Sequence, residues 1–470
     1  MRTSRHRRTV LSPFPGAPGP LSRPAPGLAA LLCVLVLSAL TASTAQASEE
    51  SAEVVAITGG TVHTMTGPPL EGATVLLEGE RIGAVGTDVE VPEGARVVDA
   101  TGLHVYPGFF DPLTRLGLTE VGSVSATEDT EEIAEYNPEL VAAAAVHPDS
   151  EHIPVARANG ITHALSAPGS GGGGGFFGFG TSGGALAGQG SVIHLAGWTA
   201  EEMALDPSAV MVLQWPALQT RSFDFSTFSV EERPFTEAKE EYDEGVEELE
   251  RWFRAAEHYA RARQTGEPER LRRDVKLEAL LPVVQGELPV LLVANEKRSI
   301  EDGLAFAERH GLEVILAGGA EAWKVKEMLA ERQVPVVLRP TQSLPVEEDD
   351  PYDRPFTTAG ELHAAGVTIA FATFSSADSR LLPYEAGHAV PYGLPREEAL
   401  KAITRNPAEI FGLGERLGTV EPGKLGNLVL TGGDPLELRT RVERVFIQGR
   451  EVSTDNKHRR LYERYRSRPR

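Results

Sequence analysis

The chain has 470 residues, a formal net charge of −22, 41% hydrophobic residues and a single cysteine, Cys33. That length suffices for one large α/β domain plus a smaller one. The acidic balance argues against nucleic acid and anionic membranes as partners, and one cysteine excludes an internal disulfide framework.

Residues 1–47 read as a signal peptide. They hold Arg2, Arg5, Arg7, Arg8 and Arg23 without an acidic residue, then an apolar run from Leu28 to Ala42 that is short for a membrane span. Ala45-Gln46-Ala47 is a small-x-small cleavage signal, so cleavage after Ala47 and export to the periplasm or beyond are expected; an uncleaved anchor is the alternative. Arg7-Arg8-Thr9-Val10-Leu11 lies far from the apolar core, which leaves the export route open. Removing the five arginines takes the formal charge from −22 to −27, and Cys33 leaves with them.

Next come short β-branched runs between glycine turns. Val54–Ile57, Ala73–Leu77 and Arg81–Val85 predict antiparallel strands, with Glu78-Gly79-Glu80 as a turn. The far end of the chain matches them: Asn427–Leu430, Val442–Ile447 and Gly449–Val452 predict further strands. Two half-sheets at opposite ends predict one composite β-sandwich domain, built from residues 48–106 and 414–452. Between them, over 107–413, strand-like runs alternate with helix-length segments. Gly160–Leu165, Leu288–Val293, Leu312–Ala317, Val334–Leu338 and Gly366–Phe371 are the strands of this α/β repeat, which predicts a (β/α)8 TIM-like barrel.

Two segments interrupt the repeat. Residues 170–184 are glycine-rich with Phe176, Phe177 and Phe179; without a following Gly-Lys-Ser/Thr they read as a flexible loop, not a phosphate cradle. Residues 236–263 form an acidic helix whose Tyr242, Val246, Leu249, Phe253, Ala256 and Ala260 share a face, a stripe suited to packing on the barrel. A basic tail, 453–470, carries Tyr462 and Tyr465 and reads as a solvated end.

Four ordered motifs carry a resemblance: Pro107-Gly108-Phe109-Phe110-Asp111, Ile153–Thr162, Gly188-Gln189-Gly190-Ser191, and Asn406-Pro407-Ala408 through Gly418–Lys424 into Gly426-Asn427-Leu428-Val429. Over residues 54–452 the chain resembles the amidohydrolase superfamily, in particular its imidazolonepropionase-like branch of C–N hydrolases. The resemblance implies a divalent metal such as zinc, held by histidines on three strands and assisted by an aspartate on a fourth. At the corresponding positions stand Leu113, Arg115, Val293, Asn295, Gly318 and Phe374. An aliphatic side chain cannot ligate a metal and a guanidinium repels one, so no cofactor is predicted.

No substitute site is legible. The mature histidines include no i,i+2 pair and no H-E-x-x-H, and His163 and His194 are expected to be hydrogen-bonded structural residues. Catalytic residues are therefore left unassigned. Arg115, Asn295, Glu296, Lys297, Glu321, Arg339, Thr373, Ser375 and Asp378 fall at or beyond strand ends, where barrels bind ligands. Of these, Arg115, Asn295, Lys297, Thr373, Ser375 and Asp378 are the candidate pocket, and Arg115 with Lys297 could hold a carboxylate. The leading expectation is an exported, metal-free family member that binds a small molecule, or supports a catalytic partner as a homo-oligomer or beside a catalytic paralogue. An active C–N hydrolase with a rebuilt or metal-independent site is the alternative.

Overall fold

The structure, a computed structural model, describes residues 53–130, 135–169, 185–218, 220–224, 229–265 and 272–468. The expected signal peptide, residues 1–47, and the glycine-rich stretch 170–184 lie outside the described residues. Among the described residues, no helix is long and apolar enough to cross a membrane.

The first half of the small domain comprises β1 (Val54–Val62), β2 (Leu70–Glu78), β3 (Arg81–Gly86), β4 (Arg96–Asp99) and β5 (His104–Pro107). β1, β2 and β3 are antiparallel neighbours, whereas β4 and β5 both lie parallel to β1 along different parts of its length. The barrel follows with β6 (Phe109–Thr114), β7 (Ile161–Ser166), β8 (Leu186–His194) and β9 (Ala204–Gln214). A hairpin of β10 (Arg221–Asp224) and β11 (Ser229–Glu232) stands outside it. The barrel resumes with β12 (Val290–Ala294), β13 (Val314–Gly318), β14 (Val336–Leu338) and β15 (Ile369–Phe371). Finally β16 (Leu428–Thr431), β17 (Val442–Ile447) and β18 (Arg450–Val452) return to the small domain, where β16 pairs with β5. The two termini thus complete one eight-stranded sheet around Ile57, Val75, Leu77, Val105, Leu428 and Phe446.

The barrel strands run in the order β6-β7-β8-β9-β12-β13-β14-β15. Seven are parallel and β8 is not: it pairs antiparallel with both β7 and β9. Only residues 195–203 separate β8 from β9. That is too short for the helical crossover a parallel neighbour requires, so the chain turns back on itself. Strand alternation gives each barrel face its own core. Leu291, Val293, Ile315, Ala317 and Val337 point into the barrel, whereas Leu292, Leu316, Val336 and Leu338 pack towards the helices.

The acidic helix spans Phe235–Thr265, slightly longer than predicted. Leu249, Phe253 and Ala256 on its stripe are fully buried, Tyr242 and Ala260 nearly so, and Val246 partly. Phe253 meets Phe306 of the helix Lys297–His310 edge-on at 5.1 Å, and burying each such ring contributes about 1.5–3 kcal/mol.

Beneath the barrel, at its junction with the small domain, the His163 and His194 rings lie 5.0 Å apart, tilted by 52°. Asn427 Nδ2 donates to His163 Nε2 (3.1 Å), and Gln448 Nε2 donates to His194 Nε2 (3.1 Å). Since each Nε2 accepts, the ring proton sits on Nδ1, and His163 Nδ1–H donates to Thr162 Oγ1 (2.8 Å). Both are structural histidines that couple the two domains. Burial holds His194 down to about 4, assisted by the Arg416 cation. Burial, His194 and Arg416 hold His163 well below the usual range. Unfolded imidazoles take up protons near pH 6.5 and these do not, so stability is lost as pH falls from about 6.5 towards 4. For His194 alone this amounts to about 3 kcal/mol. Urea midpoints from pH 7.5 to 4.5 should show His194→Gln losing less stability on acidification than wild type; equal losses would refute the assignment.

Candidate functional site

The C-terminal ends of the parallel strands converge on one face of the barrel. β6 delivers Leu113 and Arg115, β12 leads to Asn295, β13 ends at Gly318, and the segment after β15 carries Thr373 and Phe374. Backbone hydrogen bonds knit these ends together. Gly319 N donates to Ala294 O (2.8 Å), Glu321 N to Asn295 O (2.8 Å), Arg339 N to Gly318 O (3.2 Å) and Ala372 N to Leu338 O (3.1 Å). Phe374 N donates to Leu113 O (2.8 Å), which ties the two outermost strands of the barrel sheet to each other.

The six positions at which the resemblance expects metal chemistry have a distinct character. Leu113 and Val293 belong to the apolar barrel interior with Leu165, Ala317 and Ala372, and Phe374 packs against them. Phe374 has φ 56°, a left-handed conformation uncommon outside glycine, and its bond to Leu113 holds it there. Gly318 has φ 94°, and a Cβ at that position would lie 2.6 Å from Asn295 Oδ1 and 3.1 Å from Ala294 O. A histidine at 318 would therefore need both a strained backbone and a displaced Asn295. The Asn295 amide oxygen is buried and accepts no hydrogen bond among the described residues. It is the one metal-capable oxygen among the six side chains, and a single neutral amide does not make a site for a divalent transition metal. Among the described residues, no three His, Cys, Asp or Glu side chains are grouped so that they could hold a metal ion.

The candidate pocket residues are placed unevenly. Thr373, Ser375 and Asp378 lie together in the turn after β15, where Ser375 Oγ donates to Asp378 Oδ2 (3.1 Å) and accepts from Asp378 N (3.3 Å). Arg115 is half-buried just past β6. Lys297 is exposed at the start of its helix: its backbone N–H donates to Glu321 Oε2 (2.7 Å), and its ammonium lies 3.8 Å from Glu301. Glu321 is buried and also accepts from Lys324. Burial, reinforced by Glu321 and Glu347, pushes the Glu296 carboxyl up.

In the sequence Asp111 stands out only as part of a family motif, and the structure gives it a larger part. Its carboxylate is fully buried and accepts from Thr373 Oγ1 (2.5 Å), Ser379 Oγ (2.6 Å) and Thr373 N (3.2 Å). Burial pushes its pKa up to about 7 against those hydrogen bonds. Asp111 holds β6 to the turn that carries Thr373 and Ser375. An acid set in the apolar run Phe109-Phe110-Asp111-Pro112-Leu113 was the available signal, because a buried carboxyl must find donors. Since it has no exposed surface, Asp111 positions the rim rather than touching a ligand. The mouth thus offers polar groups at its edge above an apolar floor.

The amidohydrolase family model matches residues 391–453. The curated relative "Amidohydrolase tasK" of Hapsidospora irregularis is 24% identical over 390 residues, covering 77% of this chain and 37% of its own length. This chain therefore spans little more than a third of that relative. An amidohydrolase from Thermotoga maritima MSB8 has a similar solved structure, with 27% identity and a TM-score of 0.71, covering 85% of this chain and 99% of that one. A prolidase complexed with N-methylphosphonate-L-proline shares the fold at 19% identity and a TM-score of 0.51, with 85% and 99% covered. The ordered motifs, the barrel and the β domain completed by both termini agree with these likenesses: the chain belongs to the amidohydrolase superfamily.

Proposed function

We propose that this chain is an exported amidohydrolase-superfamily protein that works without a metal ion, binding a small molecule at the barrel's C-terminal face or supporting a catalytic partner. One observation carries the reading: Leu113, Val293 and Phe374, at positions where the resemblance expects two histidines and an aspartate, share one apolar cluster. Water that enters such a floor finds no group to polarise it. Arg115, Asn295, Ser375 and Asp378 at the rim supply charge and hydrogen bonds for recognition, and Arg115 suits a ligand carboxylate. Export follows from the arginine-rich leader with its apolar core and Ala45-Gln46-Ala47. The supporting role would be filled through a second copy of this chain or a catalytic paralogue.

Two measurements on purified mature protein decide between this reading and an active hydrolase. Metal analysis is expected to find far less than one equivalent, and about one tightly held zinc, manganese or iron per chain would sink the metal-free reading. Assays on N-acyl amino acids and dipeptides are expected to show no turnover. Hydrolysis that disappears in Arg115→Ala would instead establish a metal-independent hydrolase.

A further inference from the structure

Apart from the barrel mouth, a recess lies between the ends of β13 and β14 and the helix Arg354–Ala364, beneath the loop that joins β14 to that helix. Its sheltered space is small, about 20 Å³, within about 410 Å³ of empty space that includes open solvent, so a ligand's tail would lie along the rim. Its walls are largely apolar, with Leu338, Phe371, Pro345 and Val346, and Ser343 adds a hydroxyl. Three charged side chains line it. Asp350 pairs with Lys324 (3.4 Å) and Arg354 with Glu361, so each is compensated within the protein. Arg339 is the third, and its guanidinium makes no hydrogen bond or ion pair with any described residue, although it is mostly withdrawn from water and its pKa is lowered by burial alone.

A desolvated guanidinium without a counter-charge is costly, and the loss is recovered when an anion arrives. On the rim Leu344 is 84% exposed, a large apolar side chain left in water beside that cation. Cation and apolar surface side by side describe an amphipathic ligand. We propose that this recess is a binding site for a small carboxylate with an apolar tail, the carboxylate paired with Arg339 and the tail laid on Leu344. Guanidinium and carboxylate match as a planar, two-pronged pair, which favours a carboxylate over a simple halide. The site shares no residue with the candidate pocket at the mouth, so it stands whether or not the mouth is catalytic.

Calorimetric titration of the mature protein with 4-methylvalerate, and with 4-methylvaleramide as its neutral counterpart, tests the proposal. The acid should bind, and the amide should bind about tenfold or more weaker, the loss expected when a charge-assisted pair becomes a neutral one. Arg339→Gln should weaken the acid by about tenfold or more while leaving the amide unchanged, and Arg339→Lys should fall between. Should Arg339→Gln fold poorly, Leu344→Ser supplies the reading from an exposed position: about threefold or more loss for acid and amide alike. The proposal is overturned if the acid does not bind at roughly millimolar concentration, if the amide binds equally well, or if folded Arg339→Gln or Leu344→Ser leaves acid binding unchanged.

Discussion

Replacing Asp111 by alanine is expected to cost about 3–5 kcal/mol of stability at neutral pH, seen as a lower denaturant midpoint. The carboxylate collects Thr373 Oγ1, Thr373 N and Ser379 Oγ in a site without water access, and its removal leaves these donors buried beside a cavity. Asparagine separates the charge from the shape. The folded carboxyl titrates near 7 and an unfolded one near 3.8, so the native state binds the proton more tightly between those values. The stabilisation it contributes is complete below about pH 4 and is lost as pH rises through about 7. That change spans about 4 kcal/mol. Asp111→Asn stays neutral throughout, so the wild-type advantage over it should shrink by a comparable amount between pH 4 and 8. Parallel pH curves for the two proteins would overturn the assignment. The dependence opposes that of His163 and His194 in much the same window, and only the single variants separate them.

Gly449→Ala should destabilise by about 4 kcal/mol or more. Gln448 (φ 50°) and Gly449 (φ 72°) form the two-residue turn of the β17–β18 hairpin, where both central residues must be left-handed. Space as well as φ demands glycine, because a Cβ there would lie 1.8 Å from the carbonyl oxygen of Gly79 in the β2–β3 turn. The contact joins the two halves of the composite domain, so relief by local shift would separate them. It would also move Gln448 away from His194. Gly366→Ala is the comparison, since Gly366 has φ 87° with nothing near its absent Cβ and should lose only about 1 kcal/mol of backbone strain. Equal denaturant midpoints for the two variants would show that the Gly79 contact is not tight in solution.

Much of the architecture was legible before the fold was seen. Val290–Ala294 and Val314–Gly318 are unbroken apolar runs because both faces of a barrel strand are buried, and such runs stand out in a sequence. The stripe from Tyr242 to Ala260 was equally plain, since helical spacing and burial coincide there. The reversal of β8 was not legible, because a strand's residues do not reveal the direction of its neighbours. Nor was the role of Asp111, whose donors Thr373 and Ser379 lie more than 260 residues away along the chain.

The candidate site divides along the same line. Sequence by itself determined the family, the barrel with its two-ended β domain, and the identities of Leu113, Arg115, Val293, Asn295, Gly318 and Phe374, because each is a matter of local pattern or residue chemistry. Only the tertiary structure decided that Leu113, Val293 and Phe374 pack into one apolar floor. It alone set Gly318 against Asn295 and left Arg339 in its recess without a counter-charge. Those facts depend on distances between strands that are remote in sequence, and a linear pattern carries no such distances.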